Sequence, residues 1–314
     1  MSVHAIPART RDHHTLARTV CAICGTSGAA DELYPATLTD DAFTAAVFSA
    51  RRLPDRVHYR LVTCRACGLV RSDPVLPAAG LAKLYAASTF DYANELDGLR
   101  ATYGRALARL AELTPDRAEL LDIGTGSGFV LELARDAGWS GVRGVEPSAD
   151  AIAKANPEIR PLIAMDVMRA GLFEAGSFDA VTMFQVLDHM PDPADLLEEC
   201  RRVLRPGGVV LAFNHNVTAW SARLLGERSP IIDVEHTYLY SPQTIRRLFE
   251  QAGFEVVSVT VARNTYSLSY LAQLLPLPAG AKARLLEWLR GSRVGAFKAT
   301  VPLGNLCLIA RRRA

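Results

Sequence analysis

The sequence predicts an α/β protein, a doubly wound and mostly parallel sheet preceded by a small cysteine-bearing module. Three observations predict it. From Ala118 onward, apolar strand-like segments alternate with amphipathic helical ones, the pattern of right-handed crossovers that cover both faces of a parallel sheet. The first of these strands runs into a glycine-rich loop at residues 124–128 that opens a helix. Ahead of them stand two C-x-x-C-G knuckles, at residues 21–25 and 64–68.

Composition sets the outer bounds. The 314 residues are enough for a large core plus an accessory module. A hydrophobic fraction of 49% with 22% charged residues is ordinary for a globular chain. The formal net charge of +2 argues against a dedicated nucleic-acid binder. Residues 1–17 mix Arg, His, Thr and Ala without the apolar core of a secretory signal, and read as a short tail. The longest apolar run, 268–277, is interrupted by Ser269, Gln273 and Pro276 and is too short to span a bilayer. The expected compartment is therefore the cytoplasm, where the six cysteines would be thiols or metal ligands.

The knuckles define the first unit. Each glycine permits the tight turn that aims backbone N–H groups at the thiolates. Residues 59–63 (YRLVT) read as a strand delivering the second knuckle, and Pro74 and Pro77 mark the exit. Residues 18–75 are thus expected to be a zinc ribbon in which Cys21, Cys24, Cys64 and Cys67 fill all four positions around a structural zinc ion. Cys200 and Cys307 fall in a helix and a strand and read as core residues.

A helical linker or cap over 76–117 follows. Leu81, Leu84 and Tyr85 have helical spacing, and from about Asn94 to Leu113 the positions Leu96, Leu99, Tyr103, Leu107 and Leu110 recur on one face. Pro115 ends that pattern. The unit 118–314 then reads as strand 119–123, helix 127–137, strand 141–145, helix 149–155, a short strand 161–164 and strand 178–184. Helix 195–204, strand 209–213, helix 242–252, strand 254–261 and strand 306–310 complete it. The apolar stretch 266–277 reads as a buried helix rather than a lid over a ligand.

The chemistry concentrates at the ends of these strands. The glycines of Leu121-Asp122-Ile123-Gly124-Thr125-Gly126-Ser127-Gly128 let backbone approach a ligand, and the helix start supplies unpaired N–H donors. Glu146 ends the next strand, where an acid can accept both hydroxyls of a ribose. To this point a nicotinamide dinucleotide and S-adenosylmethionine fit equally. Asp166 follows the third strand, where an acid can accept from an adenine amino group.

The order L-D-I-G-T-G-S-G, V-E-P-S, S-F-D-A-V, V-L-D-H and V-L-R-P-G-G (the last at residues 203–208) closely resembles the class I S-adenosylmethionine-dependent methyltransferases, over roughly residues 120–261. The resemblance implies a Rossmann-like sheet whose last strand inserts antiparallel beside the sixth. It also implies that Asp122, Gly124, Thr125, Gly126 and Gly128 contact the methionine portion of the cofactor. Glu146 and Pro147 would meet the ribose, Asp166 and Val167 would frame the adenine, and Gln185 would lie beside the sulfonium.

A further segment, Asp233-Val234-Glu235-His236-Thr237-Tyr238, taken with the knuckles and the aromatic residues Tyr85, Phe90 and Tyr92, is similar to zinc-ribbon methyltransferases that include deoxysugar C-methyltransferases. That group carries a further C-terminal domain for which this sequence has no room, so the resemblance carries the Glu-His pair and leaves the acceptor open. Methyl transfer needs alignment of acceptor and methyl, with a general base for a hydroxyl or carbon acid. His4, His13 and His14 lie in the tail and His58 in the zinc module. His189, His215 and His236 fall near the carboxyl edge of the sheet, where open α/β sheets bind ligands. His236, with Glu235 to orient it, is the first candidate base, His189 the second and His215 the third.

The expected activity is methylation of a small-molecule acceptor such as a sugar, glycan or secondary metabolite, on oxygen or carbon. An RNA methyltransferase gripping nucleic acid with the zinc module, a non-catalytic zinc protein and a nicotinamide-dependent oxidoreductase are the rivals. Against the first stand the near-neutral charge and a fifth strand ending Phe213-Asn214-His215-Asn216 rather than in an N-P-P-Y motif. The intact glycine loop, Glu146 and Asp166 disfavour the second, and the 178–179 and 205–208 contexts the third. The sequence carries no signal of oligomeric state.

Overall fold

The computed structural model describes residues 15–39, 43–44, 47, 56–87, 95–275 and 277–313. Most of the tail, including His4, His13 and His14, and the aromatic pair Phe90 and Tyr92 lie outside the described residues.

In chain order the structure begins with strands β1 (Ala30–Tyr34), β2 (Leu61–Cys64) and β3 (Val70–Ser72). Helices α1 (Ala78–Ala86) and α2 (Leu96–Glu112) follow, then β4 (Glu119–Ile123), α3 (Phe129–Asp136), β5 (Gly141–Val145), α4 (Ala149–Ala153) and β6 (Ile163–Ala164). Next come β7 (Phe178–Phe184), α5 (Pro193–Val203), β8 (Leu204–His215), α6 (Trp220–Leu225), β9 (Tyr238–Leu239), α7 (Pro242–Gln251) and β10 (Phe254–Val261). The chain closes with β11 (Asn264–Ser267), α8 (Leu268–Leu274), α9 (Ala279–Arg290), α10 (Arg293–Ala296), β12 (Lys298–Val301) and β13 (Asn305–Arg312).

Seven strands form the main sheet in the order β10-β13-β8-β7-β4-β5-β6. Strands β4 to β8 pair in parallel, and β13 enters antiparallel to both β8 and β10. This is the Rossmann-like arrangement that the resemblance implied. The central strands β7 and β8 are buried on both faces, with Val181, Met183, Val210 and Ala212 fully covered, as parallel strands between helical layers must be. The Phe178-Asp179 motif has a physical job: the Asp179 carboxylate accepts the Glu119 backbone N–H at 2.8 Å and so fixes the start of β7 against β4.

Helix α2 packs the expected face. Leu99, Tyr103, Leu107 and Leu110 are buried, and Tyr103 stacks on Phe184 with ring centroids 4.1 Å apart. Helix α3 starts two residues later than the sequence suggested, because Gly128 is left-handed (φ 76°) and caps the helix rather than joining it.

Two features depart from expectation. The N-terminal strands are not a closed unit: their sheet, β1-β2-β3-β9, takes its fourth strand from the segment after β8. The stretch 266–277 is not a core helix. Residues 264–267 form β11, paired with β12, and α8 buries only Ala272. Its neighbours are the short helices α9 and α10 instead of the sheet, so the apolar side chains Tyr266, Tyr270 and Leu274 turn toward a cavity.

Candidate active site

That cavity has a volume of about 1480 Å³ and opens along the carboxyl ends of the parallel strands. A drug-sized ligand occupies roughly 300–1,000 Å³, so there is room for a nucleoside cofactor and a second molecule. One wall carries Ile123, Gly124, Thr125, Glu146, Pro147 and Gln185.

The strand ends are stitched together. The backbone N–H groups of Gly124 and Thr125 donate to the Val145 carbonyl at 2.8 and 3.1 Å, bending the loop after β4 over the end of β5. Glu146 is buried and accepts from the N–H of Gly126 at 2.9 Å and of Ser148 at 2.8 Å. Burial pushes its carboxyl up, against the pull of those two amides. A Cβ on Gly124 (φ +69°) would stand 2.5 Å from Val186, so this turn of backbone has to be bare. Gln185, the residue after β7, holds a left-handed φ of 59°, and its buried side-chain oxygen has no hydrogen-bond partner among the described residues. Strained backbone and an orphan acceptor at a cavity wall are what a ligand site retains.

Not every expected residue reaches the cavity. Asp122, Gly126 and Gly128 stand behind its wall. Asp122 is buried and accepts from the Thr182 hydroxyl at 2.6 Å. Desolvation pushes its carboxyl up to about 7, although that hydrogen bond works the other way. Asp166 and Val167 line the rim. Asp166 accepts from the guanidinium of Arg169 at 2.9 Å and from the Val167 N–H at 2.8 Å, and Arg169 holds its carboxyl below the usual range.

In the same cavity, three imidazoles meet. The rings of His215 and His236 are 4.4 Å apart and those of His189 and His236 5.0 Å. The Glu235 carboxylate does not hold the His236 ring as the sequence suggested. Instead, Nδ1 of the buried His236 bonds the Ile231 carbonyl at 2.8 Å, which the five-residue loop before it brings into reach. Burial and then the neighbouring His215 push the His236 imidazolium pKa down. His189 Nδ1 and the Tyr85 hydroxyl share a hydrogen bond of 3.1 Å. The sequence reading passed over Asp188 as one letter of V-L-D-H, yet this buried carboxylate sits under the cluster, 2.7 Å from Nδ1 of His215. The signal was an acid four residues after a buried strand.

The four knuckle cysteines also converge, with ligand atoms all within 4.8 Å of one another. Cys21 and Cys67 sulfurs are 3.3 Å apart and those of Cys24 and Cys64 3.5 Å. A tetrahedral ion with bonds of ~2.3 Å needs sulfurs ~3.8 Å apart, so this quartet fits zinc. Burial would raise the Cys64 thiol, yet the amides of Cys67 and Ala66 bring it down to about 6.

Comparison with known proteins agrees with this geometry. The family described as methyltransferase domain matches residues 96–259, half of the chain. The chain belongs to that family. It is an S-adenosylmethionine-dependent methyltransferase. The chain is similar to a ubiquinone biosynthesis O-methyltransferase of Thiobacillus denitrificans, 27% identical over 186 residues that cover 55% of this chain and 78% of that one. The ubiquinone biosynthesis O-methyltransferase of Aromatoleum aromaticum is 30% identical over 185 residues, covering 55% and 76%. Among solved structures, a SAM-dependent methyltransferase from Archaeoglobus fulgidus superposes with a TM-score of 0.47 and 18% identity, covering 69% of this chain and 97% of that one. Among the described residues, no helix of this methyltransferase is long and apolar enough to cross a membrane.

Proposed function

We propose that the enzyme methylates an oxygen or carbon of a small-molecule acceptor, held between the cofactor wall and the histidine cluster. The observation that supports this most is that one continuous cavity is lined both by Gly124, Glu146 and Gln185 and by His189, His215 and His236. The names of the relatives, which are O-methyltransferases of a small molecule, point the same way.

In this reading the bare backbone at Gly124 and Thr125 receives the methionine portion of the cofactor, and Glu146 and Pro147 the ribose. Asp166 and Val167 frame the adenine, and the Gln185 side chain lies beside the reacting center. Asp122, Gly126 and Gly128 act from behind by fixing the loop. When bound, S-adenosylmethionine supplies an electrophilic methyl on a sulfonium that departs as a neutral thioether. The chain's own contribution is alignment, worth ~7–11 kcal/mol in favorable cases, and removal of the acceptor's proton by the imidazole cluster. His236, His189 and Glu235 contact the acceptor there. The cysteine quartet holds a structural zinc ion, and with four thiolates no position is left for water.

Calorimetry with S-adenosylhomocysteine and with NAD, followed by transfer of labeled methyl to a panel of phenols and sugars, tests the proposal. Binding of S-adenosylhomocysteine but not NAD is expected. Transfer to RNA with a steep salt dependence, and to no small molecule, would overturn the acceptor class.

A further inference from the structure

We infer that His215, held by Asp188, is the base that takes the acceptor's proton, and that His236 serves as a neutral neighbor. This rests on the methyl-transfer reading above. The two residues end neighboring strands: His215 is the last residue of β8 and Asp188 follows β7 by four residues. Asp188 is fully buried, and its side-chain oxygens take hydrogen bonds from His215 Nδ1 at 2.7 Å and Asn214 Nδ2 at 3.1 Å, with the His215 backbone N–H at 3.4 Å. The Asp188 backbone carbonyl separately accepts from the N–H groups of Thr237 and Tyr238, tying the acceptor loop to the same point.

Three observations fit His215 to this role, and the second sets it apart from its neighbors. First, the Asp188 carboxylate fixes the tautomer: Nδ1 carries the proton, so Nε2 presents a bare lone pair. Second, a base becomes a cation as it works, and a buried cation needs a counter-charge. His215 has one in direct hydrogen bond at 2.7 Å, whereas His236 gives its Nδ1 to the Ile231 carbonyl and His189 stands 3.8 Å from the same carboxylate. Third, His215 lines the cavity while Asp188 does not, which makes Asp188 a positioning residue. Burial would keep Asp188 protonated, but the hydrogen bond from His215 and the charges of His189, His215 and His236 hold it ionized.

The proton balance is simple. The acceptor O–H or C–H bond breaks, its proton passes to His215 Nε2, and the electron pair stays on the acceptor atom as the nucleophile. The imidazolium so formed is paired with Asp188 and later releases its proton to solvent. The charged and titratable groups around it are Asp188 and His189 after β7 and Asp233, Glu235 and His236 in the loop before β9, with the neutral Asn305 paired to it in β13.

The test uses the full chain with catechol as acceptor probe, and the variants Asp188→Asn, His215→Gln and His236→Gln. Asp188→Asn keeps a side chain able to bond Nδ1 but removes the charge. It is expected to lower kcat by about 10²–10⁴-fold and to shift the acidic limb of the pH profile, with S-adenosylhomocysteine affinity within about threefold. His215→Gln should lose as much and the double variant no more. His236→Gln should keep the wild-type acidic limb. Proton–nitrogen NMR of the histidines gives a readout independent of any acceptor: the His215 Nδ1–H tautomer should be present and should weaken in Asp188→Asn. A wild-type pH profile in Asp188→Asn, or an Nε2–H tautomer at His215, overturns the inference while leaving the methyltransferase reading intact. Failure to bind S-adenosylhomocysteine would instead sink that reading.

Discussion

The Ser72 hydroxyl donates a 2.8 Å hydrogen bond to the backbone carbonyl of His236. Ser72 ends β3, which carries the chain away from the second cysteine knuckle, and β3 pairs with β9 just beyond His236. The same contact is reinforced by the Ser72 N–H, which donates to the Thr237 carbonyl at 2.9 Å, and by the Tyr238 hydroxyl, which donates to the carbonyl of Val20 beside Cys21. The cysteine module therefore anchors the loop that carries His236.

Ser72→Ala leaves that buried carbonyl without its partner, a loss of ~1–3 kcal/mol. Because the loss falls on the loop and not on the cofactor wall, kcat should drop about tenfold with S-adenosylhomocysteine affinity unchanged. Steady-state kinetics beside calorimetry checks it. Weakened cofactor binding would show that the anchor acts elsewhere.

Removing zinc should act through the same strands. A chelator that extracts the proposed ion from the cysteine quartet is expected to abolish turnover while the chain still binds S-adenosylhomocysteine, since Gly124 and Glu146 directly follow β4 and β5 of the other sheet. Hydrogen exchange would show loss of protection in β2, β3 and β9 first. Uniform loss across β4 to β8 would contradict the anchor model.

Gly124→Ala places a methyl 2.5 Å from Val186 in a left-handed backbone. Strain of ~1–3 kcal/mol is expected to appear as a lower Tm, and cofactor binding should weaken by at least tenfold because the displaced wall is the one lining the cavity. Isothermal calorimetry against the wild type decides it.

Much of this was legible from the sequence because it rests on backbone. Strands 178–184 and 254–261 fall where their apolar runs fall, and the glycines of 124–128 mark the loop. The Asp188–His215 bond was not legible, since it depends on the register of two parallel strands and on the rotamers at their ends. Nor was the turn of Tyr266 and Tyr270 toward the cavity, because an apolar stretch reads alike whether it faces a core or a ligand. Strand β1 was missed since none of its residues is buried and its sequence, ADELY, does not alternate.

Asp122 gives a pH prediction with a definite sign. Its folded carboxyl is raised to about 7 by burial, against ~3.9 when unfolded. Between those values the folded chain holds the extra proton, so stability falls as pH rises from about 4 to about 7 and the full cost is present above that. Asp122→Asn retains an oxygen that can accept from Thr182 and removes the charge. It should stabilize the chain at pH 8 by at most ~4 kcal/mol and flatten the pH dependence of Tm between 4 and 7. Equal Tm shifts at pH 4 and pH 8 would refute the assignment.

Charge placement around the cavity yields a last prediction, about the acceptor. At the carboxyl edge the lining side chains beside the histidines are Asp233, Glu235 and Tyr85. The arginines that line the cavity are placed elsewhere. Arg201 and Arg202 sit in the last turn of α5, and Arg312 pairs with Phe254 at the opposite edge of the sheet. Arg169 is engaged by Asp166 at the rim of the cavity. A phosphorylated acceptor bound beside the histidines would thus bring its negative charge toward Asp233 and Glu235, with no arginine or lysine beside that cluster among the described lining residues. At a separation of ~6 Å and an effective dielectric of ~20, each such repulsion costs roughly 3 kcal/mol, or about a hundredfold. Uncharged phenols should accordingly show kcat/KM at least a hundredfold above that of a nucleoside-diphosphate sugar, and Glu235→Gln should narrow the gap. A nucleoside-diphosphate sugar emerging as the best acceptor would mean that the phosphates are received by a surface other than this cavity.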